Sequence, residues 1–106
     1  FGAWVPLSVA AEQLPAGPGV LQVRLRQGLV HYPRGKSAMI HYTGGADVRR
    51  LAAELSRAHP DADWLCRTNI GPCADPIAAA ERLRADFRDR FGAYPQIPES
   101  TDMSDR

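Results

Sequence analysis

The stretch from Asp75 to Gly92 restricts the possible folds more than any other part of the chain. Asp75 is a residue type that caps helix N-termini, Pro76 suits the first helical position, and Gly92 is a common C-terminal stop. The apolar residues between them recur at helical spacing: Ile77, Ala80, Leu83, Phe87 and Phe91. The pattern predicts a long helix whose single apolar stripe has to be buried against another layer of the fold.

The middle of the chain predicts a second helix and the strands that such helices would cover. Asp47 precedes apolar residues at helical spacing, and the His59-Pro60 pair ends that helix at about Ala58. Alternation of apolar and polar residues from Val20 to Arg26 predicts a strand with one buried face. Further strands are predicted at Leu29–Tyr32, Ala38–Thr43 and Trp64–Ile70, with a loop at 33–37.

Together these elements predict an α/β (α+β) fold in which a small, mostly antiparallel sheet of three to four strands is flanked by helices. The three strands before the second helix would form a meander that places His31 beside His41. A short helix capped by Ser8 is predicted at Ser8–Leu14. We expect one domain over residues 1–96 and a flexible polar tail at 97–106.

Charge and cysteine content narrow the function classes. The chain has 13 Lys and Arg against 12 Asp and Glu, a formal net charge of +1, so any polyanion site has to be a local patch. The two cysteines, Cys66 and Cys73, are too few for a disulfide scaffold and predict free thiols, with a single disulfide as the alternative; Cys66 is expected to point inward. No apolar run approaches the ~20 residues of a membrane span. These features favour a cytoplasmic protein without a membrane partner.

Three segments follow one another in an order shared with a known family. The first, Leu14 to Leu21, contains Leu-Pro and then Pro-Gly-Val. The second is Tyr42-Thr43-Gly44, followed by an arginine-rich helix. The third is the helix around Glu81 together with the later Tyr94-Pro95-Gln96. In this order the segments resemble the GIY-YIG nuclease superfamily over residues 14–96.

The resemblance implies a metal-dependent phosphodiesterase. Glu81 would hold one Mg²⁺ or Mn²⁺ ion, and Tyr42 would orient or activate the attacking water. Arg50 would neutralise the scissile phosphate, or Arg49 if the register of its helix is shifted. His41, next to Tyr42, is a candidate proton carrier.

The chain also departs from the family pattern. Leu21 stands where the family has its first tyrosine, a phenol that helps to position or activate water. The segment Leu29–Ser37 is an extra hairpin between the first two motifs, and Gln96 replaces an asparagine. Either a Tyr or His of this hairpin would replace the missing phenol, or the hairpin would fill the cleft. In the second case the domain would be inactive.

Surface roles are open alternatives for the charged candidates. Arg50 lies nearly opposite the apolar stripe of its helix and can pair with Glu54. Glu81 can likewise be a surface residue paired with Arg84. The candidate contacts to nucleic acid are basic side chains: Lys36, Arg49 and Arg84.

Two functions follow from these expectations. The first is a divergent GIY-YIG-like domain that cleaves DNA with a divalent metal or binds nucleic acid without cleaving it. The second is a catalytically inactive domain on the same scaffold that uses the extra hairpin to bind a protein partner. Binding to nucleic acid should weaken steeply as salt rises, whereas a protein-binding domain should have little affinity for it.

Overall fold

The computed structural model describes residues 1–69 and 74–98 and has the α+β architecture that the sequence predicts. Its strands are β1 (Val5–Pro6), β2 (Gly19–Leu25), β3 (Val30–Tyr32), β4 (Gly35–Ser37), β5 (Met39–Gly45) and β6 (Trp64–Thr68). Its helices are α1 (Ala10–Gln13), which follows a 3-10 turn at Leu7–Val9, α2 (Val48–Ala58) and α3 (Pro76–Phe91). Within the described residues, no helix has the length and apolar character that crossing a membrane requires.

Four strands form one antiparallel sheet in the order β1, β6, β2, β5. The central strand β2 pairs with β5 on one side and with β6 on the other, which confirms a mostly antiparallel sheet. Leu21, Val23 and Cys66 are fully buried in the core between this sheet and α1 and α2. Burial raises the pKa of the Cys66 thiol to about 11, so it stays protonated at neutral pH. Cys73 and Ile70 lie outside the described residues.

The two long helices begin at the predicted caps. The Asp47 carboxylate accepts a hydrogen bond from the Arg49 amide, and Asp75 accepts one from the Ala78 amide, both at 3.1 Å. Gly92 ends α3 with a φ of 83°, a left-handed conformation that favours glycine. The predicted cap at Ser8 is wrong, because Ser8 lies inside the 3-10 turn and makes no capping hydrogen bond there.

The predicted meander is wrong, since β3 pairs with β4 and leaves the main sheet. The segment 33–37, predicted as a loop, contains β4, and His31 therefore lies opposite Lys36 and not beside His41. This hairpin is held by α3: the Arg34 amide donates to the Phe91 carbonyl at 2.9 Å, and the Tyr32 ring packs 4.9 Å from Phe87. The hairpin thus packs on α3 and does not pair with the main sheet.

Two consecutive glycines show how the layers are stacked on β5. A Cβ atom at Gly44 would overlap the carbonyl oxygen of Pro76, in the first turn of α3. A Cβ atom at Gly45 would lie 3.2 Å from Leu51 of α2. Because successive residues of a strand point to opposite faces, α3 covers one face of the sheet and α2 the other. These are named the α3 face and the α2 face below.

The described residues at the end of the chain contact both the core and the hairpin. Ile97 is half-buried and packs against the core cluster. The Gln96 amide also donates a hydrogen bond of 3.2 Å to the Tyr32 hydroxyl, which ties this segment to the hairpin. Residues 99–106 of the predicted tail lie outside the described residues.

Candidate nucleic-acid interface

Tyr42 lies on the α3 face in a row of polar side chains that crosses three strands. The register places Tyr42 opposite Gln22 of β2, and Gln22 opposite Arg67 of β6. Arg67 donates from Nε to the Gln22 side-chain oxygen at 2.8 Å, and its guanidinium lies 4.3 Å from the centre of the Trp4 ring. Arg67 is therefore a basic residue on the same α3 face as Tyr42, and the sequence motifs do not point to it. Its position beside Gln22 and Tyr42 follows only from the pairing of the three strands.

The Tyr42 phenol is a hydrogen-bond donor at neutral pH. Burial raises the pKa of Tyr42 above its usual value. The positive charges of Arg67 and Arg90 act in the opposite direction, and the neighbouring Tyr32 raises the pKa further. Because the phenol stays neutral, Tyr42 can donate to a phosphate oxygen but is a poor base for activating water.

The arginines of α2 do not join Tyr42. Arg50 has a side chain 78% exposed and pairs with Glu54 through an Nε–Oε2 distance of 3.2 Å. Arg49 donates from Nε to the Leu14 carbonyl and so ties α2 to the end of α1. Both arginines belong to the helix on the α2 face, whereas Tyr42 is on the α3 face. The surface interpretation of Arg50 is thus confirmed, and a shifted register does not bring Arg49 to the phenol.

His41 and Tyr42 point to opposite faces of the sheet, as neighbours in a strand do. His41 lies opposite Val23, which is part of the core on the α2 face. Burial lowers the pKa of His41, and the charges of Arg84 and His59 lower it further. The imidazole is therefore neutral at pH 7, and it is not placed to exchange protons beside the Tyr42 hydroxyl.

This lowered pKa predicts that the domain loses stability in mild acid. Below the usual histidine value of 6.5, the unfolded chain takes up a proton that folded His41 resists, so the free energy of unfolding falls. The loss begins near pH 6.5 and ends once the pH is below the folded-state pKa. Urea unfolding at a series of pH values, with His41→Gln as the comparison, measures it. An equal acid loss in His41→Gln would assign the effect to other groups.

Glu81 is exposed on α3. Phe87 is the α3 residue that packs on Tyr42, with ring centres 6.2 Å apart. Glu81 lies about 9 Å from Phe87 along the helix axis. Within residues 1–69 and 74–98, no three His, Cys, Asp or Glu side chains are grouped to hold a metal ion. A single exposed carboxylate is a poor fit to the Mg²⁺ or Mn²⁺ ion that the resemblance implies, since such ions take several oxygen ligands.

Arginines and an aromatic ring meet at the C-terminal half of α3. The guanidiniums of Arg84 and Arg88 lie 5.4 and 5.2 Å from the centre of the Tyr94 ring. Arg88 also donates from Nη1 to the Tyr94 hydroxyl at 2.8 Å, which fixes the ring. Arg84 and Arg88 are four residues apart and so lie on one side of α3. They support the ring from the helix side, and Tyr94, which is 43% exposed, keeps area for another contact.

The neighbouring hairpin adds further positive charge. Helix α3 and the hairpin together carry six cations against the three carboxylates of Glu81, Asp86 and Asp89. The α3–hairpin surface is defined here by six residues: Arg34, Lys36, Arg84, Arg88, Arg90 and Tyr94. It contains two of the predicted nucleic-acid contacts, Lys36 and Arg84, and excludes Arg49.

Comparison of the chain with protein-family models, with curated proteins and with solved structures gave no match.

Proposed function

We propose that this chain is a nucleic-acid-binding module that holds a single strand on its α3–hairpin surface. The main support is that the Tyr94 ring is exposed and is held by contacts with the guanidiniums of Arg84 and Arg88. Proteins that bind single strands combine exposed aromatic rings, on which bases stack, with cations that follow the backbone. The guanidiniums also enhance stacking because they hold the ring in one orientation.

The phosphate contacts would come from the remaining cations of the same surface. Lys36 is exposed on β4, and Arg90 lies over the Phe91 ring with its guanidinium 5.3 Å from the ring centre. Arg34 donates to the Asp89 carbonyl at 2.8 Å, so its charge is fixed close to the C-terminus of α3. Because the net charge is only +1, a site for a polyanion has to be a local patch of positive charge, and these cations form one.

The geometry supports binding of nucleic acid but not hydrolysis of its phosphodiester bonds. Catalysis at one phosphodiester requires the nucleophile, the base and the charge-stabilising group to reach the same few atoms. Tyr42 lies on the α3 face, whereas Arg50 and His41 belong to the α2 side. We therefore propose a GIY-YIG-like scaffold with a binding role, which the order of the elements from β2 to α3 supports.

Fluorescence anisotropy with labelled single-stranded DNA and RNA tests the proposal. We expect Tyr94→Ala to weaken binding about tenfold, because stacking of one base contributes about 1–3 kcal/mol, while Tyr94→Phe retains most of the affinity. Raising the salt from about 50 to about 200 mM should weaken wild-type binding markedly. Arg50→Ala is the matched control, since it removes one charge from the α2 side, and it should leave the affinity nearly unchanged.

Three outcomes would contradict the proposal. The first is that Tyr94→Ala binds the strand as tightly as the wild type does. The second is that Arg50→Ala weakens binding as much as Tyr94→Ala, which would move the site to α2. The third is that Mg²⁺ or Mn²⁺ induces cleavage of the strand and Glu81→Ala abolishes it, which would restore the hydrolytic function.

A further inference from the structure

A pocket of about 430 Å³ opens between α3 and the strands β4 and β5. This volume lies within the range of small-ligand sites in proteins, about 300–1,000 Å³. Side chains of two chemical kinds line it. Some are apolar or aromatic and include Met39, Tyr42 and Leu83. Others are charged: Lys36, Asp86 and Arg90.

The apolar and aromatic part of the lining is suited to a flat ring. The Tyr42 ring is half-buried and lines the pocket, and it packs on Phe87, whose own ring is buried and fixed by Tyr32 at 4.9 Å and by Phe91 at 4.4 Å between ring centres. Met39 is a flexible thioether that adapts to aromatic partners. A planar ligand can therefore contact both the supported Tyr42 ring and the adaptable Met39 side chain.

The charged part of the lining is suited to an anion and to a hydrogen-bond donor. Lys36 and Arg90 place two positive charges on the pocket, one from the hairpin and one from α3. Asp86 adds a carboxylate, and it forms no ion pair or hydrogen bond with any residue of 1–69 and 74–98. A carboxylate has two acceptor oxygens, so it binds best to two adjacent donors. Guanine is the nucleobase that presents two adjacent donors on its Watson–Crick edge.

We propose that this pocket binds a single guanine nucleotide, with its base on Tyr42 and Met39, its phosphate at Lys36 and Arg90, and its donor edge at Asp86. The nucleotide is a free monophosphate or one residue of a strand, and the second case rests on the proposed function above. The hairpin that supplies Lys36 would thus give the domain a base preference as well as added charge. Stacking on Tyr94 is tolerant of sequence, whereas this pocket is selective.

Titration with free nucleoside 5′-monophosphates, followed by protein NMR, tests the pocket. GMP should bind about fivefold or more tightly than UMP, because guanine offers two adjacent donors to the Asp86 carboxylate whereas uracil offers one. Guanosine without phosphate should bind more weakly than GMP by a similar factor. Asp86→Asn should remove the preference for GMP over UMP, and Lys36→Ala and Arg90→Ala should weaken both nucleotides. Arg82→Ala, also on α3 but outside the pocket, should match the wild type.

The outcomes separate this inference from the proposed function. If no monophosphate shifts the signals of Met39, Asp86 or Phe87 while single strands still bind through Tyr94, the pocket inference is overturned and the strand-binding function stands. If GMP binds and strands do not, the pocket stands as a site for the free nucleotide and the proposed function fails. Equal binding of GMP and UMP, or an unaltered preference in Asp86→Asn, would overturn the role of Asp86. A strand whose single guanine is replaced by an abasic residue should bind more weakly if the nucleotide is part of a strand.

Discussion

Gly44→Ala is expected to destabilise the domain by about 3 kcal/mol or more, close to the upper end of overpacking substitutions. The added Cβ atom would overlap the Pro76 carbonyl oxygen and lie 2.5 Å from its carbonyl carbon. These are backbone atoms in the first turn of α3, so no side-chain rotation relieves the overlap. The helix itself has to move away from β5. For a domain of this size we expect a fall in Tm of about 10 °C or more.

Gly45→Ala is the matched control on the next residue of the same strand. There the nearest atom to the new Cβ is the Cδ1 of Leu51 at 3.2 Å, on a flexible and half-buried side chain. We expect a loss well below that of Gly44→Ala. Thermal unfolding followed by circular dichroism measures both. Equal, small losses would contradict the close approach of α3 to β5, and with it the placement of Tyr42 beneath that helix.

Leu21→Tyr is expected to be nearly as damaging, although it introduces the tyrosine that the resemblance to the GIY-YIG family implies at this position. Leu21 is fully buried in the core on the α2 face. The larger ring overpacks that core at about 1–3 kcal/mol, and an unpaired buried hydroxyl costs about 1–3 kcal/mol more. The new phenol would also point away from Tyr42, because Leu21 pairs with Thr43 and Tyr42 pairs with Gln22.

Leu21→Met keeps the volume and apolar character of the site, so it should cost less than about 1.5 kcal/mol. Comparing the two variants by urea unfolding separates the effect of the phenol from that of changing Leu21 at all. A stable Leu21→Tyr variant that gained metal-dependent nuclease activity would contradict the assignment of this residue to the core. It would also reopen the catalytic interpretation of the scaffold.

The elements that the sequence predicts well are those whose signals are local. The caps at Asp47 and Asp75 and the stop at Gly92 act on neighbouring backbone groups, so the bounds of α2 and α3 could be predicted closely. The burial alternation of Trp64–Thr68 follows from its own residue order. The α+β class follows from the order of these elements.

The pairing of β3, and which side chains meet at the candidate interface, depend on contacts between residues that are distant in the sequence. Tyr32 packs on Phe87 and Phe91, and no local pattern shows that this contact replaces pairing with the sheet. Arg67 joins the row of Tyr42 only through the register of three strands. Tyr94 meets Arg84 and Arg88 because the chain turns back after Gly92, which a motif comparison does not reveal.

Mapping a single-stranded oligonucleotide onto the domain by amide chemical shifts tests the central claim most directly. We expect the largest shifts on the α3–hairpin surface, around Lys36, Arg84 and Tyr94, and no effect on amides near Arg50 on α2. Shifts centred on Arg49 and Arg50, or no shifts at low salt, would contradict it.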